Sequence, residues 1–157
     1  MSELPQGYAI ATFTRQKLLN LWEIVSQYPT TFADGTKNPE DFIRRLLAKN
    51  TIVIETDGGV ILIEHIDIGV SAEFHATFWD HKLSPRKDEL KEILLWVFLT
   101  FNLERLETTV ASYARAVKRF LKDRLGFVYE GTLRNAIKNQ NEFYNLEIYS
   151  ILRDEVL

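Results

Sequence analysis

The sequence predicts one domain of the α/β (α+β) class, with a mixed, mostly antiparallel seven-stranded sheet and about four helices. Segments rich in β-branched and aromatic residues alternate with amphipathic segments in the order β-α-α-β-β-β-α-β-α-β-β. An Asp57-Gly58 turn joins two of the strands as a hairpin. The 157 residues suit a single domain spanning 1–157, and no repeat or linker divides them.

In the first half of the chain, β-branched and aromatic segments predict strands at 8–14, 51–56, 60–66 and 71–79. After the first strand, apolar residues recur at helical spacing from Leu18 to Val25. Residues 28–38 are typical of a loop. Asn38 and Pro39 then indicate a helix start, because asparagine caps free N–H groups and proline fits the first turn.

The fourth predicted strand sorts its side chains onto two faces, because successive residues of a strand point in opposite directions. Three polar side chains and a tryptophan share one face: Glu73, His75, Thr77 and Trp79. Smaller or apolar side chains share the other face: Phe74, Ala76 and Phe78.

In the second half, the clearest helix is predicted over 84–101, with Ser84 as its cap and Pro85 in its first position. A strand over 105–111 and a last helix that ends at Leu125-Gly126 follow. Two final strands, 127–137 and 142–153, are joined by the polar turn 138–141.

Composition narrows the classes of function. The net charge of −3 argues against nucleic acid as a partner. The absence of cysteine excludes disulfides, thiolate metal sites and a cysteine nucleophile. No apolar run is long enough for a membrane span, and the first ten residues lack the order of a secretion signal. We therefore expect a cytoplasmic protein with no membrane partner.

This element order, together with "LGFVYEGTLR" in its late position, resembles the GCN5-related N-acetyltransferase (GNAT) family over almost the whole chain. The similarity is closest to the ribosomal-protein alanine N-acetyltransferase branch, through Gly126-Phe127, Glu130-Gly131, Arg134 and the segment 149–155. It implies the GNAT fold and transfer of an acetyl group from acetyl-CoA to an amine. The short chain is also similar to diverged phage-encoded members. Glycine at 126 suits a left-handed helix exit, phenylalanine at 127 suits the core, and Gly131 suits a bulge or a turn.

The resemblance also implies where acetyl-CoA binds. Family members cradle the pyrophosphate in a Gly-x-Gly loop before the long helix, but this chain has Lys82-Leu83-Ser84 there. Cationic side chains can substitute for bare backbone in binding phosphates. The predicted cofactor-binding residues are Phe78, Trp79, Lys82, Leu83, Ser84, Arg86, Lys87, Tyr113, Arg115 and Lys118.

Acetyl transfer needs a base for the amine and donors that polarise the thioester carbonyl. Glu73 and His75 are the candidate bases, and Tyr144 is the candidate acid for the departing sulfur. Backbone N–H groups of residues 76–78 are the expected carbonyl donors. We predict no metal site, because the neighbouring side chains of Glu64 and His65 should diverge on a strand.

Three functions remain open at this point. The first is an N-acetyltransferase that acts on a protein N-terminus or a small amine. The second is a catalytically degenerate GNAT-fold protein with a binding or phage assembly role, in the host cytoplasm or the virion. The third is a domain that binds another acyl-CoA or a nucleotide. Apolar residues of the last strand could also form a homodimer.

Overall fold

The structure is a computed structural model that describes residues 3–27, 38–80 and 86–156. The strands are β1 (Ala9–Ile10), β2 (Ile52–Thr56), β3 (Gly59–Asp67), β4 (Ser71–Phe78), β5 (Arg105–Ala111), β6 (Val128–Asn139) and β7 (Glu142–Leu152). The helices are α1 (Arg15–Val25), α2 (Pro39–Leu46), α3 (Lys87–Thr100), α4 (Arg115–Arg119) and α5 (Arg153–Val156). A π-helical segment, Phe120–Leu125, continues α4.

The strands form one seven-stranded sheet in the order β1-β2-β3-β4-β5-β7-β6. Neighbouring strands are antiparallel except β4 and β5, which are parallel. The predicted mixed, mostly antiparallel sheet and the predicted element order are therefore confirmed. α5 is an addition after β7, and its four residues are too few to show helical periodicity in the sequence.

Helices cover both faces of the sheet and divide the core in two. On the first face, which we call the α1 face, α1 and α2 pack on β2 and β3. On the second, the α3 face, α3 and the π-helical segment pack on β3, β4 and β5. Each buried Leu or Phe side chain contributes roughly 1.5–3 kcal/mol, so these two clusters fix the helices to the sheet. No helix in the described ranges is long and apolar enough to cross a membrane.

β1 is shorter than predicted and covers Ala9–Ile10 instead of 8–14. The reason lies in Thr14, whose hydroxyl accepts a hydrogen bond from the Lys17 N–H at 3.1 Å and so caps α1. The chain must leave the sheet before this cap. The predicted start of α2 is confirmed, because the Asn38 side chain caps it. Most of the predicted loop between α1 and α2 lies outside the described residues.

α3 also begins later than predicted, at Lys87 rather than at Pro85. Arg86 occupies the cap position, and the Glu89 carboxylate accepts a hydrogen bond from the Arg86 N–H at 3.3 Å. This contact satisfies a donor that the first turn leaves without an intrahelical partner. The predicted cap, Ser84, lies outside the described residues.

The last predicted helix consists of α4 and the π-helical segment, which is wound more widely than an α-helix. The chain leaves this segment through Gly126, whose φ of 82° is left-handed. Glycine adopts this conformation at little cost. Phe127 is buried and packs against Phe74, with ring centroids 6.3 Å apart. The expectations for Gly126 and Phe127 are therefore confirmed.

A bulge changes the direction of one side chain near the end of β3. The register with β4 shifts between Glu64 and Asp67, and His65 has a left-handed φ of 49°. The bulge turns His65 toward β4, where its Nδ1 lies 3.2 Å from a Glu73 oxygen. The expected divergence of Glu64 and His65 is therefore wrong, because it assumed a regular strand.

β6 and β7 form a long hairpin with register shifts between Tyr129 and Gly131 and between Leu133 and Ile137. The predicted bulge at Gly131 is therefore confirmed. The hairpin turns at residues 140–141, both with left-handed φ, as two-residue hairpin turns require.

Candidate active site

A V-shaped opening splits the sheet between β4 and β5. These parallel strands are paired at three positions, of which the last joins Glu73 to Glu107. β4 then continues to Phe78 and β5 to Ala111 without further pairing to each other. The opening therefore has its apex at Glu73 and Glu107 and widens toward a mouth at Phe78 and Ala111.

Main-chain groups of β4 point into this opening, because N–H groups along a strand alternate between its two neighbours. The Trp79 N–H donates toward the β3 side, to the hairpin turn, at 3.0 Å. The Val70 carbonyl instead accepts a hydrogen bond from the segment that leads into β5, at 2.9 Å. By this alternation the N–H groups of Ala76 and Phe78 face β5, beyond the last paired position. They are placed to bind a molecule inside the V.

The N-termini of α3 and α4 lie at the same end of the sheet as the mouth. β4 and β5 both run from apex to mouth, and each is followed by one of these helices. α3 returns to the apex end, where its Phe101 carbonyl accepts a hydrogen bond from the Gly69 N–H at 3.0 Å. The positive end of the α3 dipole therefore lies at the mouth end of the sheet. Three exposed cations stand at these helix starts: Arg86, Lys87 and Arg115.

On the α1 face, the apex carries Glu73 between two histidines. One Glu73 oxygen lies 3.2 Å from His65 Nδ1, and the other lies 3.5 Å from His75 Nε2. The His75 side chain is 17% exposed and that of Glu73 is 31% exposed. His75 thus holds the carboxylate in place while leaving it accessible. The structure brings the two predicted bases together.

The surroundings of Glu73 favour its charged form. The hydrogen bond from His75 is the largest influence and lowers the pKa of Glu73, and His65 acts in the same direction. Partial burial opposes them by raising the pKa. Because the net result is a lowered pKa, the carboxylate is ionised at neutral pH and can accept a proton.

A buried ion pair lies beside Glu73. Glu64 stands directly opposite Glu73 in the register of β3 and β4. Its carboxylate accepts a hydrogen bond at 2.7 Å from the Nε of Arg45, near the end of α2. The two side chains are only 6% and 14% exposed, so each compensates the buried charge of the other.

A second charged cluster lies on the β5 side of the apex. Arg105 donates hydrogen bonds to Glu130 at 2.9 Å and to Glu107 at 2.8 Å, and the Ser150 hydroxyl also contacts Glu130. The Arg105 bond, followed by the Ser150 bond, lowers the pKa of Glu130 to about 2. Sequence reasoning missed this cluster because its members lie on three strands and meet only through the register of the sheet.

Tyr144 lies toward the mouth of the opening and not at the apex. Its ring packs edge to face against Tyr113, with centroids 4.7 Å apart. Its hydroxyl donates to Glu142 at 2.7 Å, and this bond is the main reason that the pKa of Tyr144 is raised. Ser150 is paired with Glu107 at the apex and lies six positions after Tyr144 along β7. Six strand positions span roughly 20 Å. The structure does not bring Tyr144 together with the candidate bases.

The predicted cofactor residues fall into different places. Phe78 and Trp79 stand at the mouth end of β4. Lys118 of α4 is already engaged, since it forms an ion pair with Glu147 at 2.7 Å and donates to the Ser112 carbonyl at 2.8 Å. The three residues that replace the expected glycine loop, 82–84, lie outside the described residues.

Comparison with solved structures identifies the fold. A probable acetyltransferase is 17% identical with a TM-score of 0.71, covering 98% of this chain and 97% of that one. A spermidine N-acetyltransferase from Vibrio cholerae, in complex with CoA and spermine, is 16% identical with a TM-score of 0.72, covering 97% and 99%. The protein has the GNAT fold. A putative acetyltransferase of 17% identity and TM-score 0.72, covering 96% and 88%, agrees.

No protein-family model matches the sequence, and no curated protein matches it. At identities of 16–17% the likeness lies in the backbone and confirms the GNAT fold that the resemblance implied. The ribosomal-protein branch and a phage origin stay predictions.

Proposed function

We propose that the protein is an acetyl-CoA-dependent N-acetyltransferase that acetylates an amine. The V-shaped opening between β4 and β5 is the observation that carries this proposal. It offers unpaired main-chain groups on β4, a carboxylate at its apex and a helix N-terminus at its mouth. Support also comes from the fold, which it shares with acetyltransferases, one of them solved with CoA and spermine.

Each part of acetyl-CoA has a complementary group along the opening. The amides of its pantetheine arm can pair with the free edge of β4, as an added strand does. The mouth favours anionic phosphates, because the positive end of α3 and the exposed Arg86 and Lys87 lie there. Lys82, four positions before Arg86 in the sequence, adds a third cation to this segment. These side chains take the place of the missing glycine cradle.

The reacting groups meet at the apex in this proposal. The cationic amine first loses one proton to solvent, and Glu73 accepts the second proton, directly or through one water, as the nitrogen attacks. The amine nitrogen attacks the thioester carbonyl carbon, the C–S bond breaks, and the thiolate of CoA takes a proton from solvent. The N–H of Ala76 or Phe78 donates to the carbonyl oxygen while that oxygen carries negative charge. His75 acts through Glu73 and is a positioning residue.

The acceptor approaches from the α1 face. Glu73 lies at the apex on that face, and its carboxylate attracts a cationic amine. Polyamines such as spermidine belong to this class. A protein N-terminus is the second class of acceptor, implied by the resemblance to the ribosomal-protein branch.

Tyr144 has a different place in this account from the one that the sequence indicated. Because Tyr144 stands toward the mouth beside Tyr113, we assign both rings, with Phe78 and Trp79, to contacts with the cofactor. The proton for the thiolate then comes from solvent.

The test is a transfer assay with acetyl-CoA and two acceptors, spermidine and a peptide with an N-terminal alanine. Mass spectrometry detects the acetylated amine, and a thiol reagent measures released CoA. We expect one acetylated amine for each CoA released. If neither these acceptors nor a wider panel of amines is acetylated, the proposal is wrong and a non-catalytic binding role is favoured.

A further inference from the structure

Three side chains that commonly bind metals converge at the apex on the α1 face: Glu64, His65 and Glu73. One ligand atom from each lies within 4.8 Å of the other two. His65 Nδ1 and a Glu73 oxygen are 3.2 Å apart. That spacing is close to the edge of a tetrahedron around a zinc ion with bonds of roughly 2.0–2.1 Å.

The backbone creates this cluster at some conformational cost. A regular strand would send His65 to the face opposite Glu64. The bulge and the left-handed φ of 49° at His65 bring its imidazole to Glu73 instead. Few residues other than glycine adopt such a φ, although histidine, asparagine and aspartate do so more readily than most.

Each carboxylate of the cluster is oriented by a neighbour outside it. Arg45 donates to one oxygen of Glu64 at 2.7 Å. His75 lies 3.5 Å from the Glu73 oxygen that does not face His65. Metal ligands in proteins usually have such outer partners, which fix their geometry.

The cluster is also accessible on one side. Glu64 is 6% exposed at its side chain, whereas His65 is 73% exposed. An ion can therefore enter past His65, and a water molecule can complete the coordination. A mixed set of imidazole and carboxylate suits zinc, whereas magnesium and calcium prefer oxygen ligands alone.

We propose that Glu64, His65 and Glu73 form a zinc-binding site with one coordination position open to water. A further consequence rests on the proposed acetyl transfer. A zinc ion on Glu73 uses the lone pairs that would accept the proton of the amine. Zinc therefore inhibits acetyl transfer, while acetyl-CoA still binds between β4 and β5 beyond the apex.

Calorimetric titration of the metal-free protein with zinc chloride tests the site without any acetyl-CoA. We expect one zinc ion per chain for the wild type. His65→Asn should weaken zinc binding by roughly tenfold or more, because asparagine keeps the left-handed φ but lacks the imidazole. His81→Gln removes a histidine outside the proposed site and should bind zinc like the wild type.

Thermal unfolding of each variant confirms that it is folded before titration. Wild-type affinity in the His65→Asn variant, or loss of binding in the His81→Gln variant, would place the ion elsewhere and overturn the proposal. The absence of zinc binding to the wild type would overturn it as well.

Inhibition is measured separately in the transfer assay. Wild-type turnover should fall as the site fills with zinc. The His65→Asn variant should keep its own zinc-free rate at zinc concentrations that inhibit the wild type. If zinc binds at one ion per chain and turnover does not fall, the inhibitory role is wrong and the metal site stands. If no amine is acetylated, only the proposed function fails.

Discussion

At the scale of single residues, Glu73 is the side chain on which the proposed acetyl transfer depends. It lies at the last paired position of β4 and β5, where the strands begin to separate. His65 and His75 fix its two oxygens. A carboxylate in this place can meet an amine on the α1 face and a thioester between the strands.

We predict that Glu73→Gln lowers kcat by roughly 10²–10⁴-fold, the usual contribution of a general base. Glutamine keeps the shape and some hydrogen bonds but cannot accept the proton. KM for acetyl-CoA should change little. Steady-state kinetics check this, with Glu92→Gln on the exposed side of α3 as the matched control. A Glu73→Gln variant with wild-type kcat would exclude Glu73 as the base.

Glu130 should contribute to stability in a pH-dependent way. Its pKa is about 2 in the folded protein, below the ordinary value of 4.5, chiefly because of Arg105. A group with a lowered pKa stabilises the fold above its unfolded pKa and loses this effect as pH falls toward the folded pKa. The contribution is therefore complete near neutral pH and is lost from about pH 5 to pH 2.

We predict that Glu130→Gln is less stable than the wild type at pH 7 and that the difference shrinks between about pH 5 and pH 2. Urea unfolding at several pH values measures the free energy of unfolding of both proteins and so gives this difference. A stability difference that does not depend on pH would show that the Arg105 contact is not the cause. Glu92→Gln serves again as the exposed control.

The sequence indicated part of this site and not the rest. Alternation along β4 placed Glu73 and His75 on one face, because strand geometry is local. The position of His65 could not be predicted, because it depends on a bulge that only pairing with β4 reveals. The contacts of Arg105 with its neighbours also could not be predicted, because they depend on the register of the sheet.

At the scale of secondary structure elements, the junction between the π-helical segment and β6 shows what a local signal can predict. Leu125-Gly126-Phe127 indicated a helix end and a buried aromatic residue, and both are present. The π-helical winding was not predicted, because the same apolar residues fit a regular helix.

We predict that Gly126→Ala destabilises the fold by about 1–2 kcal/mol, because a side chain at a left-handed φ is strained. Open space around the position excludes a steric clash as the cause. Gly131→Ala is the matched control, since Gly131 also has open space and no left-handed φ. Thermal unfolding compares the Gly126→Ala and Gly131→Ala variants. Equal melting temperatures would show that the left-handed φ at Gly126 is not the cause of the destabilisation.

At the scale of the whole molecule, element order was sufficient to predict the fold. Among the described residues, seven strands and the helices between them define the sheet, and the confirmed order brings β4 and β5 together as a parallel pair. Cofactor binding could not be predicted in the same way, because the loop at 82–84 lacks the expected glycines.

The double variant Lys82→Ala plus Arg86→Ala tests whether cations replace that glycine loop. Removal of charged contacts to phosphate should weaken acetyl-CoA binding by roughly tenfold or more. Lys91→Ala, an exposed lysine farther along α3, should bind acetyl-CoA like the wild type. Unchanged affinity in the double variant would dismiss the role of these cations.

The most direct test of the central claim is thermal unfolding of the wild type with and without about 1 mM acetyl-CoA. If the opening binds acetyl-CoA with a Kd of about 10 µM, mass action stabilises the fold by about 2.7 kcal/mol. For a chain of this size the melting temperature should rise by roughly 5–10 °C. An unchanged melting temperature, together with no heat of binding by calorimetry, would show that the opening between β4 and β5 is not an acetyl-CoA site.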